Sequence, residues 1–151
     1  MSWNPAEDGI THINVYSKGK TELGRWLTNF SHAPIDTVDG HFESVEAYWY
    51  WLGTNHPDKE QLRPLYGFRA KELGRQLKGL DWQESDDFKD KILAAIKNKI
   101  ESNQRMSNLL FENELPLAHY YVYGENSANP KVVEPSEGKW ILDYISSFFN
   151  I

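Results

Sequence analysis

The sequence predicts a helix-rich α+β fold. Three features point there: apolar residues recur at helical spacing over most of the chain, a few short β-branched segments are bounded by Gly, Pro or Asp, and 151 residues suffice to close a core. No repeat, low-complexity tract or linker interrupts the order. A single domain over residues 1–151 is therefore expected, with a small sheet and about six helices.

Taken in order, residues 10–17 alternate and are rich in β-branched side chains, which predicts a strand with Ile13 and Val15 on one face. Lys18, Gly19 and Lys20 form a loop, and residues 24–31 are short, aromatic and compatible with either state. Residues 33–38 and 41–43 flank Asp39-Gly40, a dipeptide suited to the positive φ angles of a two-residue hairpin turn. Ser44 is a good N-cap for the run that follows. In it Val45, Tyr48, Trp49 and Leu52 fall at i, i+3, i+4 and i+7, an apolar stripe that must face a core. Pro57 opens a helix to Tyr66 that Gly67 ends, and residues 68–77 form another with Phe68, Leu73 and Leu77 inward. Gly74 inside that helix costs about 1 kcal/mol against Ala, which predicts close approach by another backbone or a ligand. Gly79 closes this unit.

Ser85 is the predicted cap of the clearest helix, with Asp86 and Asp87 in its first turn. Phe88, Ile92, Ile96 and Ile100 recur every four residues along it, and Lys97 and Lys99 near its end are predicted to lie on a solvated face. Residues 102–113 hold a further helix with Met106, Leu109 and Leu110 inward. Residues 116–123 form a strand that Gly124 ends, and residues 125–137 a polar loop suited to cover a site. Residues 139–150 close the chain as an apolar helix through Ile141, Leu142, Ile145, Phe148 and Phe149.

Composition narrows the function. A net charge of −6 opposes a broad grip on duplex nucleic acid, which needs a basic face, but leaves room for a local basic pocket. Aromatic residues make up 14%, with six Trp and eight Tyr, so some rings should line a pocket as well as fill the core. The absence of cysteine removes thiol nucleophiles, disulfides and cysteine-ligated metals, and fits the cytosol. Neither a signal peptide nor a membrane span is expected, because the first residues lack a basic and an apolar run and no segment approaches about 18 apolar residues.

No phosphate loop, dinucleotide-binding turn or nucleophile elbow is present. The five histidines form no metal-binding pair, and no metal or cofactor is expected; His119, within a strand, fits core or pocket. The best candidate for chemistry is Glu46. It lies in the first helical turn after Ser44, where the helix dipole favours its charge, while Trp49 and Tyr50, one turn on, favour its neutral form. Opposed influences on one carboxylate are common at catalytic sites, and a first-turn Glu that serves the helix alone is the alternative.

An ordered series of short motifs resembles the NADAR family, also called YbiA-like, associated with NAD and ADP-ribose metabolism. The matches are Tyr16-Ser17, Leu27-Thr28-Asn29-Phe30, Pro34-Ile35, Asp39-Gly40, the Ser44-x-Glu46-x-Tyr48 helix start, Ala70 to Gly74-Arg75, Trp82 before a long helix, and Gly138-Lys139 opening the last helix. The resemblance implies a NADAR-like fold and an N-glycosidase that cleaves ribosyl C–N bonds in ribosylamines or ADP-ribosylated guanine, with ADP-ribose the recognised moiety. It further implies Glu46 as the central acid, and Tyr16, Ser17, Asn29, Phe30, Arg75, Trp82, Tyr123 and Gly124 as substrate-binding residues. In that reading Arg75 pairs with a phosphate, Asn29 bonds the ribose, and Trp82 or Tyr123 stacks on the base. The chain departs from the family pattern at Ala47, Tyr50, Trp51 and Gly53, where a His and a polar face are usual, and at residues 119–124, where a second carboxylate is usual. An ADP-ribose or nucleotide-binding module without catalysis, or a protein-interaction domain, are the alternatives. The compact, divergent chain is also similar to family members of bacteriophages, which implies the cytoplasm of an infected cell.

Overall fold

A computed structural model describes residues 3–135 and 138–149. In chain order its elements are β1 (Ile13–Asn14), α1 (Glu22–Leu27), β2 (Ile35–Thr37), β3 (Gly40–Phe42), α2 (Val45–Gly53), α3 (Gly67–Leu80), α4 (Phe88–Glu101), α5 (Gln104–Glu112), β4 (Leu117–Ala118), β5 (Tyr121–Tyr123), β6 (Lys131–Val133) and α6 (Lys139–Phe149). Short 3-10 helices occupy Pro5–Glu7 and Pro57–Leu62. The expected helix-rich α+β class is observed. The chain forms two compact units, one from Asn29 to Ser107 and one from the segments on either side of it. Among the described residues, no helix is long and apolar enough to cross a membrane.

In the unit 29–107 the hairpin and the helix after it follow the predicted pattern, with one change of register. Thr37 pairs with Gly40, so Val38 and Asp39 make the two-residue link and Gly40, at φ 109°, sits just after it. Asp39 is instead an anchor: its carboxylate accepts from the Tyr48 hydroxyl at 2.7 Å and meets the Lys91 ammonium at 3.4 Å. Ser44 caps α2 through Ala47 N–H, as predicted. Val45 and Tyr48 are buried from the predicted stripe, whereas Trp49 and Leu52 are only half-buried and Ala47 and Tyr50 are buried on a second face. The reason is that α2 packs on both α3 and α4.

The predicted helix from Pro57 is a 3-10 turn ending at Leu62, and Gly67 begins α3 where it was expected to end a helix. Phe68 is 73% exposed instead of inward, while Leu77 is buried and Gly79 lies inside the helix. Gly74 does mark a close approach, but the neighbour is a side chain: a Cβ there would lie 2.1 Å from the Tyr50 ring. The next helix starts later than predicted. Asp87 is its N-cap residue, and the Ser85 hydroxyl bonds the Asp87 carboxylate, not a backbone amide. The Phe88, Ile92, Ile96 and Ile100 stripe is buried as the spacing requires. Lys99 is buried with it, contrary to the expected solvated face.

The other unit pairs β1 with β4 in parallel, Ile13 opposite Leu117 and Asn14 opposite Ala118. The predicted strand 10–17 shortens, and the predicted strand 116–123 breaks into β4 and β5, which pair in separate sheets, because side chains take over from the ladder between them. The Asn14 amide donates to Tyr120 O at 3.0 Å and accepts from Tyr120 N–H at 3.0 Å. Buried His12 joins the Tyr120 hydroxyl through Nε2, and burial lowers the His12 pKa and raises that of Tyr120 to about 12. The predicted loop 125–137 contains a missed strand, β6, antiparallel to β5; residues 136 and 137 lie outside the described part. Met106 and Leu110 are buried along α5, with Leu109 half-buried, and Ile145 is buried on α6.

Candidate functional site

The segment Asn29-Phe30-Ser31 is pinned residue by residue to three helices. Asn29 O accepts from Glu46 N–H at 2.9 Å at the start of α2, and Phe30 O accepts from Gly67 N–H at 2.9 Å at the start of α3. Ser31 Oγ accepts from Lys99 Nζ of α4 at 2.9 Å. A short irregular segment so held can present groups with little freedom to move.

Glu46 is half-buried, and its carboxylate makes no hydrogen bond among the described residues. Burial pushes its pKa up to about 7, opposed by the positive charges of Lys71 and Arg75 on α3. These cations stand one turn apart on α3, either side of the Gly74 contact with Tyr50, so the α2–α3 packing brings them toward Glu46. Phe30 is half-buried, edge-on to Phe68 at 5.5 Å and with the Lys71 ammonium 5.9 Å from its ring centroid. Asn29 is also half-buried, and its side-chain amide makes no hydrogen bond among the described residues. Glu46, Asn29, Phe30 and Arg75 thus belong to one neighbourhood of the unit 29–107.

Trp82 belongs to the same unit in a packing role. Its ring lies over Gly53, where a Cβ would come within 2.1 Å, and meets Tyr50 and Phe88 edge-on while Lys78 covers it at 4.6 Å. The other predicted residues are in the unit built from the chain ends. Tyr16 is half-buried against Tyr121, Ser17 is exposed, Tyr123 is exposed on β5, and Gly124 turns the chain at φ 66°. A groove lined by Thr21, Glu22, Leu23, Leu109, Glu112 and Asn113 holds none of the predicted residues.

Sequence reasoning missed Lys71, Ser31 and Lys99. Lys99 is buried, and that burial alone draws its pKa down to about 7, so its amine is partly uncharged at neutral pH. The signal was present: position 99 falls at i+7 from Ile92 and i+3 from Ile96, within the apolar stripe. Beside the site, Glu43 accepts from His32 at 2.9 Å and His41 at 2.6 Å, which lower its pKa. Among the described residues, no group of His, Cys, Asp and Glu side chains could hold a metal ion.

This architecture defines a YbiA-like α+β fold. Among solved structures it is similar to the NMR structure of the E. coli protein YbiA, with a TM-score of 0.60 and 18% identity over 97% of this chain and 90% of that one. No family model and no curated protein matches the chain.

Proposed function

We propose that the chain is an N-glycosidase-type hydrolase acting in the cytoplasm on an ADP-ribose- or ribosylamine-containing substrate, with Glu46 as its central acid. The observation that carries this reading is the state of Glu46: poised near neutrality, without a hydrogen-bond partner among the described residues, and close to two cations. Cleavage of a ribosyl C–N bond builds positive charge at the anomeric carbon. An ionised carboxylate beside it stabilises that charge and orients a water, whose hydroxide adds to the carbon while the leaving nitrogen takes a proton. Arg75, exposed and one turn from Lys71, suits a phosphate group, and the unpartnered Asn29 amide suits a ribose hydroxyl.

A binding module without turnover is the second reading, favoured by the use made of four positions that are polar in the family pattern. Ala47 is buried, Tyr50 fills the space over Gly74, Trp51 donates to Glu60 at 2.6 Å, and Gly53 lies under Trp82. Mass spectrometry of ADP-ribosylated guanosine and of ribosylamines, incubated with the protein and with Glu46→Gln, separates the two. Release of ADP-ribose or ribose phosphate by the wild type alone supports the hydrolase, whereas release by neither protein removes it for these substrates.

A further inference from the structure

The geometry points to a nucleobase-binding face in the unit built from the chain ends, with His119 Nε2 as acceptor for an exocyclic amine of the base. His119 lies in the break between β4 and β5, its Nδ1 2.6 Å from the Val15 carbonyl oxygen. A carbonyl oxygen only accepts, so Nδ1 carries the proton and the neutral ring keeps its lone pair at Nε2. Among the described residues nothing hydrogen-bonds to that atom.

One tyrosine ring meets His119, and two further tyrosines meet that ring. His119 is half-buried and meets Tyr121 edge-on at 5.2 Å; Tyr16 meets the same ring edge-on at 5.6 Å, and Tyr123 lies 6.5 Å from it with 57% of its surface exposed. Tyr121 and Tyr123 share one face of β5, and the register sets Val133 and Lys131 of β6 opposite them on that face. A ring nitrogen held in place by the Val15 contact, exposed tyrosine surface and a lysine suit one chemical class, a nucleotide whose base carries an amine. The base stacks on tyrosine, the amine donates to Nε2, and Lys131 meets a phosphate. A ligand lacking the donor leaves Nε2 desolvated and unpaired, at a cost in affinity.

A purely structural His119 would serve only to satisfy Val15, and one substitution isolates that role. The side-chain amide of His119→Asn can occupy the place of Nδ1 and keep the Val15 bond, but nothing replaces Nε2. His119→Gln has the opposite geometry, placing its amide near Nε2. The inference rests on the reading that the ligand contains ADP-ribose, whose base is adenine. Calorimetric titration of the full chain with ADP-ribose, AMP and the 6-deamino analogue of AMP tests it, with thermal melting as the folding control.

About tenfold weaker ADP-ribose and AMP binding is expected for His119→Asn at unchanged melting temperature, the worth of one hydrogen bond. The deamino analogue should bind the wild type equally weakly and lose nothing further in the variant, and His119→Gln should recover part of the AMP affinity. Equal binding of AMP by wild type and His119→Asn, or of AMP and its analogue by the wild type, overturns the inference while leaving ADP-ribose binding intact. Amine-dependent binding of AMP without binding of ADP-ribose keeps the base site and removes the ADP-ribose reading. Binding of none of the three removes both.

Discussion

Glu46 and Lys99 both titrate close to neutrality, and for the same reason: packing removes each, partly or wholly, from water, which disfavours the charged form. In the proposed hydrolase the ionised form of Glu46 does the chemistry, and on that reading kcat/KM for release of ADP-ribose should rise with pH and level off above about 7. Glu46→Gln should flatten the profile and lower it by about 100- to 10,000-fold. The same shift has the opposite sign for stability. A carboxyl whose folded pKa lies above its ordinary 4.5 contributes stability that is full below 4.5 and lost as pH climbs to about 7. In urea unfolding, Glu46→Gln should match the wild type near pH 4.5 and exceed it by about 1–3 kcal/mol at pH 8. Lys99 runs the other way, its folded pKa depressed from 10.5, so stability is lost as pH falls toward 7. Lys99→Met should be more stable than the wild type by about 1–3 kcal/mol at pH 6, with the gap narrowing by pH 9.5. A gap that widens with pH would contradict the burial account.

At the scale of elements, the geometry of α2 depends on two glycines that let aromatic rings lie against helix backbone. Gly74→Ala would drive a methyl into Tyr50, and Gly53→Ala would drive one into Trp82. Each should cost about 2–4 kcal/mol as an overpacking change, lowering the melting temperature by roughly 5–15 °C. Gly79→Ala is the internal control. It sits in the same helix as Gly74, but a Cβ there meets nothing within 4 Å, so it should be neutral or stabilise by up to about 1 kcal/mol. Because α2 and α3 carry Glu46, Lys71 and Arg75, Gly74→Ala should also shift the pH midpoint of activity, which Gly79→Ala should leave in place.

At the scale of the whole molecule, ligand binding appears as added stability. ADP-ribose at about 100 times its Kd should stabilise the folded chain by about 2.7 kcal/mol and raise its melting temperature by several degrees. Glu46→Gln should keep that rise, because in the proposed mechanism the carboxylate acts on the transition state more than on the bound ligand. A rise lost with the carboxylate would assign Glu46 to binding.

Much of this was legible in the amino-acid order, and the limits have a physical pattern. The α+β class, the hairpin, the Ser44 cap, the isoleucine stripe of α4 and the candidacy of Glu46 follow from caps, turn residues and periodicity, all set by neighbours within a few residues. What required the tertiary structure depends on residues remote in the chain. Tyr50 alone explains Gly74, Gly53 turns Trp82 into a packing ring, and Asn14 shortens one predicted strand and breaks another by pairing its side chain with Tyr120. The anchoring of Asn29, Phe30 and Ser31 to three helices, and the burial of Lys99 that completes it, arise only when helices distant in the sequence pack together, since desolvation is a property of the assembled neighbourhood and not of a residue's place in the order.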